Sequence, residues 1–99
     1  MGEALKLLRI FNGYKSTQLA KELGLSQSYI SELENDKKQP SLEVLDKYAE
    51  LFNMKKSTLM LFAESLQDDK AEFKQKQRLA YIGMKLLKIM EKVDELDNE

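Results

Sequence analysis

Residues 16–35 read STQLAKELGLSQSYISELEN, and they carry the clearest structural pattern in the chain. Within it, the small or apolar residues Ala20, Gly24, Ile30 and Leu33 fall at positions 5, 9, 15 and 18. Ala20 lets two helices cross closely, and Gly24 can leave a helix through a left-handed turn because it has no Cβ atom. Ile30 and Leu33 then bury one side of a second helix against the first. The spacing predicts a helix-turn-helix unit, whose second helix is presented outward.

The outward face of this second helix is polar. At about 100° per residue, the positions opposite Ile30 and Leu33 share one face. They are Ser28, Ser31, Glu32 and Asn35. Gln27 lies at the tip of the helix, and a glutamine amide is suited to bidentate hydrogen bonding with adenine. Because the two serine side chains are small, this face of the helix can approach the floor of a DNA groove closely. The pattern therefore predicts contact with base edges in the groove.

The rest of the chain is also helical in pattern, because no long run alternates with period two. We predict an all-α fold with a first helix ending near Asn12–Gly13, a second over Ser16–Leu23 and a third over Gln27–Asn35. Two further helices follow. The fourth is predicted to begin at Pro40–Ser41 and to end at Asn53, with a buried stripe of Leu42, Leu45, Ala49 and Phe52. The fifth is predicted to begin at Ser57 or Thr58, with apolar residues Leu59, Leu61, Phe62 and Leu66. The first helix carries Leu5, Leu8 and Phe11 inward.

The C-terminal part differs, so we expect a helix-turn-helix domain over residues 1–66 and a helical segment, one long helix or a helical pair, over 67–99. Asp69 and Glu72 resemble a capping box before the long helical pattern. An a/d seam then recurs at spacings of three and four over about two and a half heptads. Its members are Leu79, Ile82, Leu86, Ile89, Val93 and Leu96.

Two interpretations of this seam remain open from the sequence. It can fold back and complete the core of its own domain, or it can pair with a second chain as an oligomerisation element. The apolar neighbours Ala80, Gly83, Leu87 and Met90 widen the face enough for both contacts at once. Gly83, which is unfavourable inside a helix, marks either a close helix crossing or a break.

Composition excludes several other classes of function. With 16 basic and 17 acidic residues the net charge is −1, so a DNA contact must rest on a local arrangement rather than on overall charge. Cysteine and histidine are both absent. The scattered glycines build no phosphate-binding loop, so we expect no enzyme, no metal and no cofactor. No apolar run approaches the ~18 residues of a membrane span and no leader opens the chain, which predicts a cytoplasmic protein.

The stretch from Tyr14 to Pro40 resembles the helix-turn-helix domains of the phage repressor and Cro family of transcription regulators. The likeness is sharpest in SQSYISELEN followed by a basic loop and Pro40–Ser41, and it covers about residues 4–63 in helix order. It implies base-contacting roles for Gln27, Ser28, Ser31 and Glu32. It implies phosphate-contacting roles for Ser16, Thr17, Asn35, Lys37 and Lys38. It also implies a structural ion pair between Arg9 and Glu34, tying the first helix to the third.

Three positions depart from the family pattern. Ser16 stands where the family usually has a glutamine that braces the recognition helix, and Asp36 stands where a glycine usually follows that helix. Glu32 directs a negative charge toward DNA, so it must accept from a cytosine amino group, pair within the protein or weaken binding.

The sequence therefore predicts a sequence-specific DNA-binding transcription regulator, a repressor by resemblance. It would bind an inverted repeat in double-stranded DNA as a homodimer or a higher oligomer. The alternative is an antitoxin-type protein-binding module, whose C-terminal helix holds a partner protein. Such proteins share the same DNA-binding domain, so only a partner complex would separate the two.

Overall fold

The computed structural model describes residues 1–68 and 75–97, with side chains over 1–66 and 80–91. Within these ranges the regular elements are all helices, which confirms the predicted all-α class. They are α1 (Gly2–Phe11), α2 (Ser16–Leu23), α3 (Gln27–Glu34), α4 (Leu42–Leu51), α5 (Lys56–Asp68) and α6 (Gln75–Asp97). Asp69 and Glu72, the predicted cap of the last helix, lie outside the described residues.

Serine side chains fix where two of the helices begin. Ser26 Oγ accepts a hydrogen bond from the Tyr29 backbone N–H at 3.1 Å, and Ser41 Oγ accepts one from the Val44 N–H at 3.2 Å. Each bond satisfies an amide that has no partner inside its own helix. The predicted starts of α3 and α4 are confirmed to within a residue.

Residues with a left-handed backbone conformation mark where helices end. Gly24 has φ +68°, and the Leu25 N–H donates to the Ala20 carbonyl at 2.9 Å, which closes the end of α2. Asn53, with φ +52°, follows the last turn of α4 and turns the chain away from the helix, at the predicted position. Asp36, with φ +57°, does the same after α3. The side chains of Asn and Asp make this conformation less unfavourable than it is for most residues.

The core is built by α3 packing against both α1 and α2, with α4 and α5 behind them. Its buried members come from every described helix. They include Leu5, Leu8, Leu19, Leu23, Ile30, Leu33, Leu45, Tyr48, Leu59 and Phe62. Because α1 and α2 cover one side of α3, only its opposite side can contact another molecule.

Some predicted core positions are wrong. Leu42 and Leu61 are largely exposed, although both were placed on buried stripes. In α4 the buried face is rotated toward Val44 and Tyr48, which leaves Leu42 at the solvent edge of the first turn. In α5 the buried face runs through Leu59, Phe62 and Leu66, and at about 100° per residue Leu61 lies on the opposite side. Helix α5 also starts at Lys56, slightly before the predicted Ser57 or Thr58.

Helix α6 packs against α5 and contributes to the same core. Ile82 is 1% exposed and Leu86 is 7% exposed in the single chain, and both belong to the main hydrophobic cluster. The fold-back alternative therefore holds for these two residues, and as packed they offer no surface to a second chain. Ile89 is half-buried. The remaining seam side chains lie outside the described ones; they are Leu79, Val93 and Leu96.

Gly83 does not interrupt α6, and no described neighbouring helix packs so closely that position 83 requires glycine. Helix α6 continues through it without interruption. A Cβ atom at Gly83 would lie 3.8 Å from Cζ of Phe11, an ordinary van der Waals distance. The Phe11 ring, which was predicted to be core, is partly exposed and lies close to α6 at this point. There is room for alanine at position 83.

We therefore predict that Gly83→Ala raises the free energy of unfolding by about 1 kcal/mol, the difference between glycine and alanine inside a helix. Urea unfolding followed by circular dichroism measures it. Gly2→Ala is the opposite control, because a Cβ at Gly2 would lie 2.6 Å from the Leu33 carbonyl oxygen and 2.7 Å from that of Glu34. It should destabilise the fold. A loss of stability in Gly83→Ala would contradict the packing described for α6.

Candidate nucleic-acid interface

Helix α3 presents the predicted base-facing residues on one exposed side. Its inward residues Ile30 and Leu33 are fully buried. The outward positions are exposed or, at Glu32, partly exposed. They are Gln27, Ser28, Ser31, Glu32 and Asn35. The helix is thus apolar toward the core and hydrogen-bonding toward solvent, as a helix that reads a DNA groove requires.

Local hydrogen bonds order both ends of this outward face. At its start, Gln27 Nε2 donates to Ser16 Oγ at 3.2 Å. At its end, Asn35 Nδ2 donates to the Ser31 carbonyl at 2.8 Å and lies 3.4 Å from Ser31 Oγ. Ser16 stands where the family has a bracing glutamine, and here its hydroxyl contacts the tip of α3 directly. These bonds restrict the side chains before any ligand is present.

Glu32 pairs within the protein. Lys38 Nζ lies 3.4 Å from Glu32 Oε2 and 5.7 Å from the centre of the Tyr29 ring, close enough for a cation–π contact. The structure shows the internal pair, and a carboxylate paired in this way can still accept a hydrogen bond from a base. Tyr29 was not singled out from the sequence, because its role depends on where the loop after α3 returns.

The predicted phosphate-contacting residues lie at the two ends of α3. Ser16 is beside the start of α3 through its contact with Gln27, and the neighbouring Thr17 is exposed. Lys37 and Lys38 are exposed in the loop that follows the helix. Groups at both ends of a helix seated in a groove can reach the two flanking phosphate backbones.

A nearly buried ion pair ties α1 to α3. Arg9 Nε and Nη2 donate to the two carboxylate oxygens of Glu34 at 2.8 and 3.1 Å, and Arg9 Nη1 donates to the Tyr14 carbonyl at 3.0 Å. The side chains are 16% and 8% exposed. The hydrogen bond with Glu34 raises the pKa of Arg9 above its ordinary value. One guanidinium therefore fixes α1, the loop before α2 and the end of α3.

The departure at Asp36 has a structural role. Its backbone takes the left-handed conformation that the family gives to glycine, and its carboxylate accepts a hydrogen bond from the Gly2 N–H at 2.9 Å. The first amides of a helix lack partners within it, and a negative charge there is favourable. The short distances from Gly2 to the last carbonyls of α3 show that α1 begins directly against the end of α3. This contact was not foreseen, since only the small size of Gly2 hints at it.

Tyr48 lies behind the ion pair with its side chain fully buried. Burial raises the pKa of its hydroxyl above the ordinary value, and the negative charge of Glu34 adds to the effect. No described residue donates to or accepts from this hydroxyl. Tyr48 therefore acts as a neutral packing residue, and its ring is 6.1 Å from that of Phe52.

Two other features, a metal-binding cluster and a helix able to span a membrane, are absent from the described part of the chain. Among the described side chains, those of residues 1–66 and 80–91, no group of three or more acidic, histidine or cysteine residues is arranged to hold a metal ion. None of the helices described there combines the length and apolar character that crossing a bilayer requires.

Comparison with known proteins agrees with this geometry. A family model described as helix-turn-helix matches residues 5–59. The chain is 28% identical over 77 residues to the immunity repressor protein of Bacillus phage phi105, covering 78% of this chain and 54% of that protein. It is 34% identical over 61 residues to the ImmF control region 10 kDa protein of the same phage, covering 62% of this chain and 68% of that one.

These matches define the class of protein: the chain belongs to the helix-turn-helix family of the phage repressor and Cro type. It spans only about half the length of the immunity repressor. Among solved structures, it is similar to a chain of the SinR protein/SinI protein complex, with a TM-score of 0.56 and 23% identity. The likeness covers 88% of this chain and 95% of that one. At this identity the similarity concerns the fold.

We predict that Arg9→Met or Glu34→Leu alone destabilises the fold by about 3 kcal/mol, because each leaves a nearly buried charge without its partner. The double substitution should recover part of that loss, since no unpaired charge then remains. A double-mutant cycle in urea measures the coupling. Small and additive effects would show that the two side chains contribute independently.

Proposed function

We propose that this protein is a sequence-specific DNA-binding transcription regulator, a repressor, that acts in the cytoplasm and inserts α3 into the major groove of double-stranded DNA. Gln27, Ser28, Ser31 and Glu32 would contact base edges. The flanking groups would contact phosphates; they are Ser16, Thr17, Asn35, Lys37 and Lys38. Helix-turn-helix proteins dock by this arrangement of elements.

The observation that supports this proposal most directly is the two-sided character of α3. Its apolar side is fully buried, its charged end is anchored by Arg9, and its free side carries short polar groups already ordered by hydrogen bonds. A side-chain set held in place before binding loses less conformational freedom on contact. A face used only for solvation would need none of this ordering.

Gln27→Ala should weaken binding to the preferred DNA by about 1–3 kcal/mol and relax the preference at one base pair, because a bidentate contact is lost. Lys37→Ala is the comparison, since a lost phosphate contact should weaken all sequences equally and reduce the salt dependence. Selection from a random DNA pool followed by titration measures both. Unchanged affinity and preference in Gln27→Ala would rule out α3 as the reading helix.

The charge of the domain favours binding as a dimer. Residues 1–66 carry nine basic and nine acidic side chains, so the domain has no net positive charge to attract DNA and a single copy should bind weakly. Joining two copies makes the second half-site contact intramolecular. A two-fold dimer on an inverted repeat would place two α3 helices about 34 Å apart.

The outward side of α6 is the surface we assign to this association. Met84 and Leu87 are 60% and 61% exposed, and Ala80 on the same side is exposed as well. They lie one turn apart on the helix face opposite Ile82 and Leu86, which the chain already buries. The association seam predicted from the sequence is thus moved to the other side of the same helix. Ile89 is half-buried between the two sides.

Met84→Asp with Leu87→Asp should convert a dimer to a monomer and lower operator affinity about 100-fold, while the unfolding transition is retained. Sedimentation and DNA titration measure the two effects. Leu42→Asp, at a comparably exposed apolar position on α4, is the control and should leave the dimer intact. Ile82→Asp should instead unfold the protein, since it buries a charge. An intact protein that stays monomeric at high concentration would overturn the dimer.

A second candidate is that the outward side of α6 holds a different protein. The similar solved structure is, by its name, a complex of two proteins, and the exposed apolar residues of α6 are compatible with such a contact. A monomer that forms a stable one-to-one complex, and loses it in Met84→Asp with Leu87→Asp, would favour this candidate over self-association.

A further inference from the structure

The pair formed by Glu32 and Lys38 stands in the middle of the surface that the proposed function assigns to DNA. Glu32 is the acidic residue on the outward face of α3, and its side chain is partly exposed. Its carboxylate lies 3.4 Å from Lys38 Nζ. A carboxylate brought close to DNA phosphates without a counter-ion opposes binding. The structure supplies a counter-ion from the same chain.

Backbone hydrogen bonds hold the main chain of Lys38 against the end of α3. The N–H groups of Lys37 and Lys38 both donate to the Glu32 carbonyl, at 2.8 and 3.3 Å. This turn, which passes through the left-handed Asp36, carries the start of the basic loop back over the end of α3. The Lys38 ammonium lies close to both the Glu32 carboxylate and the ring of Tyr29.

Stability of the fold does not explain the pair. Both partners are more than a third exposed, and an ion pair so exposed to water contributes little to folding. The pair gains importance only where water is displaced and negative charge is dense, and both conditions hold at a DNA surface.

A carboxylate can only accept hydrogen bonds, which limits what it reads. In the major groove, guanine and thymine present acceptors at their hydrogen-bonding edges, adenine presents a donor beside an acceptor, and cytosine presents an amino donor. An ionised glutamate held against the bases therefore favours cytosine and disfavours guanine and thymine.

Building on the proposed function, we propose that Glu32 selects a cytosine in the operator and that Lys38 acts through it, as the positioning residue that neutralises and holds its carboxylate. Lys38 also stands at a phosphate-contacting position. A phosphate contact made independently would weaken binding by the same factor whatever residue stands at position 32. A counter-ion role would make its effect depend on Glu32.

The experiment is a double-mutant cycle on the full chain, with Glu32→Gln and Lys38→Met as the two changes. DNA selected from a random pool by the unchanged protein is the probe, at two salt concentrations. Lys38→Met should weaken binding about tenfold in the unchanged protein but about threefold or less in Glu32→Gln, where no carboxylate remains to be neutralised. Lys37→Met is the matched control, because the Lys37 side chain has no ion pair among the described residues; its effect should be equal in both backgrounds.

Selection with Glu32→Gln gives an independent readout. The cytosine at one half-site position should be lost or replaced by adenine, which a glutamine amide reads. The same selected base at every position, or equal effects of Lys38→Met in both backgrounds, would overturn this inference. Gln27→Ala distinguishes failure of this inference from failure of the proposed function. If Gln27→Ala alters base preference while the effects of Glu32→Gln and Lys38→Met are additive, the pairing role of Lys38 is wrong and the DNA-binding function stands. If Gln27→Ala and Glu32→Gln both leave the selection unchanged, the DNA-reading role of α3 fails as well.

Discussion

The hydrogen-bonded ion pair of Arg9 with Glu34 is the contact on which the arrangement of the binding surface depends. Along the chain, α1 and α3 are separated by α2 and two loops, so the local backbone geometry does not fix how α1 and α3 pack against each other. The guanidinium binds both oxygens of Glu34 and also the Tyr14 carbonyl, which leads into α2. A planar group with donors in fixed directions sets angles as well as distances, which an apolar contact alone does not.

A second contact acts at the neighbouring end of the same two helices. Gly2 donates to Asp36, and the absence of a side chain at Gly2 lets α1 start against the last carbonyls of α3. Together the two contacts hold the C-terminal part of α3 while Ser26 fixes its start. The α3 backbone that carries the outward polar groups is therefore positioned by residues that are not part of that face.

What the sequence predicted well was determined locally. Helix ends were predicted from single residues. Each acts through hydrogen bonds or a backbone conformation confined to a few neighbouring residues, so residue type and position were sufficient. Helices begin at Ser26 and Ser41 and end at Gly24 and Asn53. The inward direction of Ile30 and Leu33 followed from helical spacing. The residues predicted to face DNA are exposed on one side of α3 for the same reason.

What the sequence could not predict depended on contacts between distant parts of the chain. The apolar stripe of α4 could be drawn through Leu42 or through Tyr48, and only the position of neighbouring helices leaves Leu42 in solvent. The heptad pattern of α6 identified an apolar side, but periodicity does not say which molecule covers it; Ile82 and Leu86 are covered by their own domain. The link between Lys38 and Glu32 depends on a loop that returns to its helix, and residue spacing does not specify that return.

The two-sided character of α6 has a consequence for how this protein can diverge. Ile82 and Leu86 belong to the folding core, whereas Met84 and Leu87 contact solvent from the same helical turns. Substitutions on the solvent side can change the chemistry of the exposed surface without changing the packing beneath it. In descendants of this sequence, the outward side of α6 can therefore diverge while the helix-turn-helix domain and its core are inherited unchanged.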